Sequence, residues 1–147
     1  MEQENFLSKI RMNNKLAWVA VVLFYACNAV LGTKNLGSGY YFDTDQIVYT
    51  EKKQYDGVGF SVIPPEVLSI GINRDFILIS SKNNLGIIKY WIVVKKGEKK
   101  KIKYLSNEEF SGYYIYTNVD GPLNEAEFKE ARKNHHVPND LELKPVD

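Results

Sequence analysis

The 147-residue chain holds few side chains able to do chemistry, and their spacing decides how they are read. Its one cysteine, Cys27, is the only thiol and ends a long apolar run. Without a second cysteine there is no internal disulfide, so packing must hold the fold. The two histidines, His135 and His136, are adjacent, and neighbours on a helix point about 100° apart. One metal would not readily take both, and no Cys or Asp/Glu cluster stands around them at ligand spacing. Asp43 and Asp45 flank Thr44, but a calcium loop would need further oxygen ligands that Gln46 to Tyr49 do not supply. Glu108 and Glu109, in an extended segment, would point to opposite faces and form no acid–base pair. Ser61, Ser80, Ser81 and Ser111 lack the strand–turn–helix setting of a hydrolase nucleophile, and no glycine loop would cradle a phosphate. The expectation is a protein that is not an enzyme, with no metal and no cofactor.

Cys27 is different, because what precedes it has a direction. Leu16 to Ala26 is free of charge and follows Lys9, Arg11 and Lys15. Spanning a bilayer takes about 20 apolar residues, whereas a secretory leader has an apolar region of about 7–15 behind a basic flank. The run also lacks the 3.6-residue amphipathic period of a surface helix. Three other readings stay open: an uncleaved signal anchor over Leu16 to Leu31, cleavage after Ala29, and a buried helix. Met12 is an alternative start.

Phe24-Tyr25-Ala26-Cys27 resembles the lipobox of bacterial lipoproteins, in which a small residue precedes the cysteine. Phe24 stands where leucine is commonest in that family. The resemblance implies lipidation of Cys27, removal of residues 1–26 as a signal peptide, and a membrane partner reached through the lipid. Two or more acyl chains anchor firmly, where one binds only marginally.

Removing the leader would leave equal numbers of acidic and basic residues, so charge gives no case for nucleic acid as a partner. Residues 27–39 mix glycine, serine and asparagine without periodicity and read as a flexible tether. From Tyr40 to Asp147 the pattern is that of one globular domain. Strands are expected at 40–42, 46–50, 58–63, 66–70, 75–80, 87–94 and 108–116. Phe76, Leu78 and Ser80 would share one face of a strand, with Ile77 and Ile79 on the other, so both faces are apolar and the strand should be central. Trp91 reads as a core anchor. The lysine-rich stretch 95–103 reads as a solvated hairpin tip that protects a strand edge, with a nucleic-acid or anionic-lipid patch as the alternative. Gly121-Pro122 should break the sheet. Asn124 and Glu127 then form a capping box, with Leu123 and Phe128 as its staple. The fold class is therefore α+β: a mostly antiparallel sheet of five to seven strands, with a C-terminal helix over 124–135 packed on it through Phe128.

Two stretches are similar to a group of uncharacterised bacterial envelope lipoproteins. One is Ile63-Pro64-Pro65-Glu66-Val67 with Asp75-Phe76-Ile77 and Lys89-Tyr90-Trp91-Ile92. The other is Gly121-Pro122-Leu123-Asn124-Glu125-Ala126-Glu127-Phe128 with Arg132-Lys133 and Val137-Pro138. The resemblance implies an envelope compartment and a compact domain, and no activity.

Nine of the ten tyrosines follow the apolar run, and tyrosine suits strands and wet binding surfaces alike. Tyr40-Tyr41 and Tyr113-Tyr114, each after Ser-Gly, are the expected partner-binding surface. The leading expectation is a lipid-anchored binding module that recognises an envelope protein or component. The alternatives are a periplasmic inhibitor or immunity-type protein, and an envelope enzyme.

Overall fold

The computed structural model describes residues 32–52, 56–63, 66–96, 101–105 and 114–146. The chain divides into Met1–Thr33 and Lys34–Asp147, and the architecture below is that of the second unit. The expected signal peptide and residues 27–31 of the expected tether lie outside the described residues.

Eleven strands and one helix are described: β1 (Thr33–Gly37), β2 (Tyr40–Asp43), β3 (Gln46–Tyr49), β4 (Phe60–Ile63), β5 (Val67–Ile72), β6 (Phe76–Lys82), β7 (Ile88–Val94), β8 (Ile102–Tyr104), β9 (Tyr114–Tyr116), β10 (Val119–Leu123), α1 (Glu125–Asn134) and β11 (Lys144–Pro145). Among the described residues there are three sheets instead of one: β1-β2-β3-β4, β10-β7-β6-β5-β11 and the pair β8-β9. The registered strand pairs are antiparallel.

Strand β6 lies in the middle of the five-stranded sheet, and its alternation sorts the core. Ile77 and Ile79 face a cluster that includes Leu36, Tyr40, Phe42, Ile47, Val62 and Ile63 of the four-stranded sheet, together with Trp91 and Val93. Leu78 faces the other way, into a second cluster with Ile92, Phe128, Ala131, Val137 and Leu141. A strand whose two faces are both dry needs a layer on each side. The polar groups in this sheet are matched: the Trp91 indole donates to Ser81 Oγ at 2.8 Å, and the Ser69 and Ser80 hydroxyls bond each other.

Two sequence expectations change. Thr33–Gly37, read as tether, forms β1, and Leu36 is only 1% exposed. A single buried leucine between glycines and polar residues carries no period to read. Gly121-Pro122, read as a sheet breaker, lies inside β10. That strand is at the sheet edge, where the missing proline N–H has no ladder partner to lose, and its register to β7 shifts between Asp120 and Leu123.

Helix α1 starts where the sequence placed it. Asn124 Oδ1 accepts from the N–H groups of Ala126 and Glu127, both at 2.9 Å, while the Glu127 carboxylate accepts from Asn124 N at 2.7 Å. The helix buries Phe128 and Ala131, and the Phe128 ring stacks on Tyr90 with centroids 4.8 Å apart. Beyond its end, Arg132 Nη2 donates to the carbonyls of Pro138 and Leu141 and so ties down the following segment. Phe128→Ala should lower stability by about 3–5 kcal/mol, the usual loss for truncating a buried phenylalanine. Urea unfolding of the purified variant reads this directly.

Candidate functional site

The turn that joins β1 to β2 builds one wall of an open cleft. Gly37, Ser38 and Gly39 all have positive φ (84°, 56° and 83°), a region that glycine enters without cost. A side chain at Gly39 would run into the Thr50 carbonyl and the Tyr49 ring. This close approach lets Thr50 N donate to the Gly39 carbonyl at 2.9 Å, and Asn35 Oδ1 braces the turn by accepting from Gly37 N at 2.8 Å. The resulting cleft, of about 570 Å³, is bordered by Asn35, Tyr41, Tyr49, Glu51 and Lys52.

The Tyr49 side of the cleft rests on a chain of rings. Tyr49 lies 5.0 Å from Tyr40 and 5.2 Å from Tyr116, and Tyr116 lies 5.1 Å from Phe60. Edge-to-face and tilted contacts at these separations match the ring quadrupoles, so Tyr49 borders the cleft with its ring packed on two others. Tyr41, on the adjacent strand, is half-buried. Such a surface, aromatic and flanked by Glu51 and Lys52, suits stacking and hydrogen bonding to a partner more than bond breaking.

Of the four tyrosines expected at a partner surface, Tyr40 and Tyr41 have described side chains, and the two point to opposite sides of β2. Tyr40 is fully buried, which corrects its assignment to the surface. Its phenol oxygen accepts from Asn118 Nδ2 at 2.7 Å, and the same amide donates to the Val94 carbonyl at 2.7 Å. Alternation along β2 explains the split: Tyr40 and Phe42 point inward, so Tyr41 cannot. Tyr41 borders the cleft. Tyr114 pairs with Tyr104 in the β8-β9 ladder, whereas Tyr113 lies outside the described residues, as do Cys27, Glu108, Glu109 and Ser111.

The other candidates divide plainly. His135 Nε2 lies 3.0 Å from Asp120 Oδ2, joining the helix end to β10. His136 is exposed, with φ of 55°, in the turn after the helix. Asp43, Thr44 and Asp45 form the β2–β3 turn, where Asp45 N donates to the Asp43 carbonyl at 2.8 Å. Ser61 Oγ donates to the Ile63 carbonyl at 3.2 Å. Among the described residues, no group of three or more His, Cys, Asp or Glu side chains could hold a metal ion.

A model of DUF3997, described as a protein of unknown function, matches residues 37–147. The chain belongs to this family. No curated protein and no solved structure matches it. The matched DUF3997 region begins at Gly37, in the turn that shapes the cleft, and includes Tyr41, Tyr49 and the ring chain beneath them.

Sequence reasoning missed Lys95. Read as one of a run of solvated lysines, it instead reaches inward: its Nζ donates to the Leu36 carbonyl and, at 2.6 Å, to the Asn73 carbonyl. Burial holds this ammonium below the usual lysine range, against the opposing pull of Asp75. Asp75 in turn pairs with Lys96, whose hydrogen bond holds the carboxyl below its ordinary value. No signal within the lysine run distinguishes Lys95, because its acceptors are backbone carbonyls distant in sequence.

In this DUF3997 domain, burial pushes the Tyr40 phenol from the ordinary 10.0 up to about 12. A raised folded-state value favours the neutral phenol, so its contribution is whole below pH 10 and is lost as pH rises from about 10 to about 12. The native protein should therefore lose stability across that interval, and Tyr40→Phe should lose less. Denaturant midpoints taken at pH 9 and at pH 11 would show this. At neutral pH the same variant should cost about 1 kcal/mol, since Asn118 loses an acceptor.

Proposed function

We propose that this protein is a lipid-anchored envelope protein whose DUF3997 domain is a non-catalytic binding module, with its partner surface at the cleft beside Tyr41 and Tyr49. The observation that carries the binding part is the cleft: an aromatic border, packed on Tyr40 and Tyr116 and through Tyr116 on Phe60, opens beside an amide and two oppositely charged side chains. Tyrosine is favoured at such surfaces because it offers a large apolar body and a hydrogen-bonding tip with little conformational entropy to lose. The anchoring part is supported by the sequence, through the apolar run, its basic flank and the small residue before Cys27. In this reading α1 packs on the five-stranded sheet through Phe128, a role supported by its ring stack on Tyr90.

The intact mass of the protein recovered from the membrane fraction tests the anchor. A chain that begins at Cys27 and carries acyl mass is expected; an unprocessed chain beginning at Met1 or Met12 would overturn lipidation. Binding has its own test. Tyr41→Ser should leave the urea midpoint within about 0.5 kcal/mol of the parent, as surface changes usually do, while most of the partner recovered by cross-linking in cells is lost. Unchanged recovery would move the partner surface elsewhere.

A further inference from the structure

The hairpin between β6 and β7 has an unusual tip. Its sequence, Lys82-Asn83-Asn84-Leu85-Gly86-Ile87-Ile88-Lys89, places one large aliphatic residue in the turn, where polar residues are the rule, and two more directly after it, Ile88 opening β7. All three are exposed: Leu85 by 74%, Ile87 by 43% and Ile88 by 48%. Isolated exposed aliphatics are common and mean little, but three within four residues concentrate apolar surface at one end of the hairpin.

The tip is also built rather than loose. Asn83 is buried, and its Oδ1 accepts from Leu85 N at 3.0 Å and from Ile87 N at 2.8 Å. Asn83 N donates to the Ile87 carbonyl at 3.0 Å, and Gly86 N donates to the Asn83 carbonyl at 2.9 Å, with Gly86 at φ of 79°. Asn83 thus pairs the N–H groups of Leu85 and Ile87 through its side chain and closes the hairpin through its own N–H and carbonyl, while its Nδ2 is buried without a hydrogen-bond partner. Each N–H group paired in this way lowers the cost of bringing the turn to an apolar medium, where unsatisfied groups are costly.

Behind the apolar tip stand two lysines. Register places Lys82 opposite Ile88 and Lys89 opposite Ser81, and paired residues share a face of the sheet, so one lysine lies on each side of the hairpin. Lys82 is also 3.5 Å from Glu66. An exposed aliphatic tip with a lysine on each side of the hairpin has the chemistry of an interfacial anchor: alkyl side chains at the acyl boundary, lysine side chains at the level of anionic headgroups.

We infer that the β6–β7 tip, through Leu85, Ile87 and Ile88, inserts into the surface of an anionic phospholipid membrane as a second contact besides the lipid. The inference rests on the membrane setting proposed above. It gives the domain an orientation on the bilayer, which the lipid alone would not.

Site-specific photocross-linking in the full-length protein tests it. A benzophenone amino acid replaces Leu85 in one version and, as a control, the exposed turn residue Thr44 in another. Cells are irradiated, the membrane fraction is collected and adducts are weighed. Adducts with the mass of an anionic phospholipid are expected at position 85 and not at position 44, and Lys89→Glu should reduce their yield severalfold. With the protein present in the membrane fraction, protein adducts alone at position 85, or none, would overturn the inference while leaving the anchor intact. Absence of the protein from that fraction would overturn the anchor and the inference together, and the intact mass tells the two failures apart.

Discussion

Strand β6 is dry on both sides, and this constraint governs the rest of the fold. Ile77, Leu78 and Ile79 are consecutive and all fully buried, although neighbours along a strand point in opposite directions. Each face must therefore be covered by a separate group of side chains. The four-stranded sheet supplies partners for Ile77 and Ile79, while Phe128, Ala131, Val137 and Leu141 supply them for Leu78. The serines and the tryptophan within these strands are tolerated because they bond one another; unpaired, each would cost the full desolvation of its polar group.

Polar side chains then fasten turns that are far apart in sequence. Asn118 joins Tyr40 of β2 to the Val94 carbonyl at the end of β7. Lys95 joins the Leu36 carbonyl of β1 to Asn73 in the β5–β6 turn. In both, an N–H donor meets carbonyls or a phenol that secondary structure alone leaves without this partner. Such bonds contribute little net energy each, but they fix which turn lies beside which strand.

The same device shapes the two surfaces given functional roles. Asn35 and the positive-φ glycines set the turn beside Tyr41, and Asn83 sets the tip that carries Leu85. Both surfaces are loops on a rigid sheet scaffold, where binding residues concentrate because they can vary without disturbing the core. Membership of DUF3997 adds an extent, residues 37–147, and leaves the chemistry to be argued from these side chains.

Much of the fold was legible in the sequence. The alternation of Phe76 to Ser80 gave a central strand with two apolar faces, Trp91 was read as core, and Asn124 with Glu127 marked the start of α1 to within a residue. These are local patterns, with period two for the strand and a fixed three-residue offset for the cap, so neighbouring residues carry them. The division into three sheets, the recruitment of Thr33–Gly37 as a strand and the place of Gly121-Pro122 at an edge were decided by tertiary pairing. So was the fate of the tyrosines: composition says only that they are numerous, and burial by the opposite sheet sends Tyr40 inward while Tyr41 stays at the cleft. Lys95 shows the limit most clearly. Its neighbours in sequence are solvated lysines, and only the approach of two distant carbonyls gives this one an inward role.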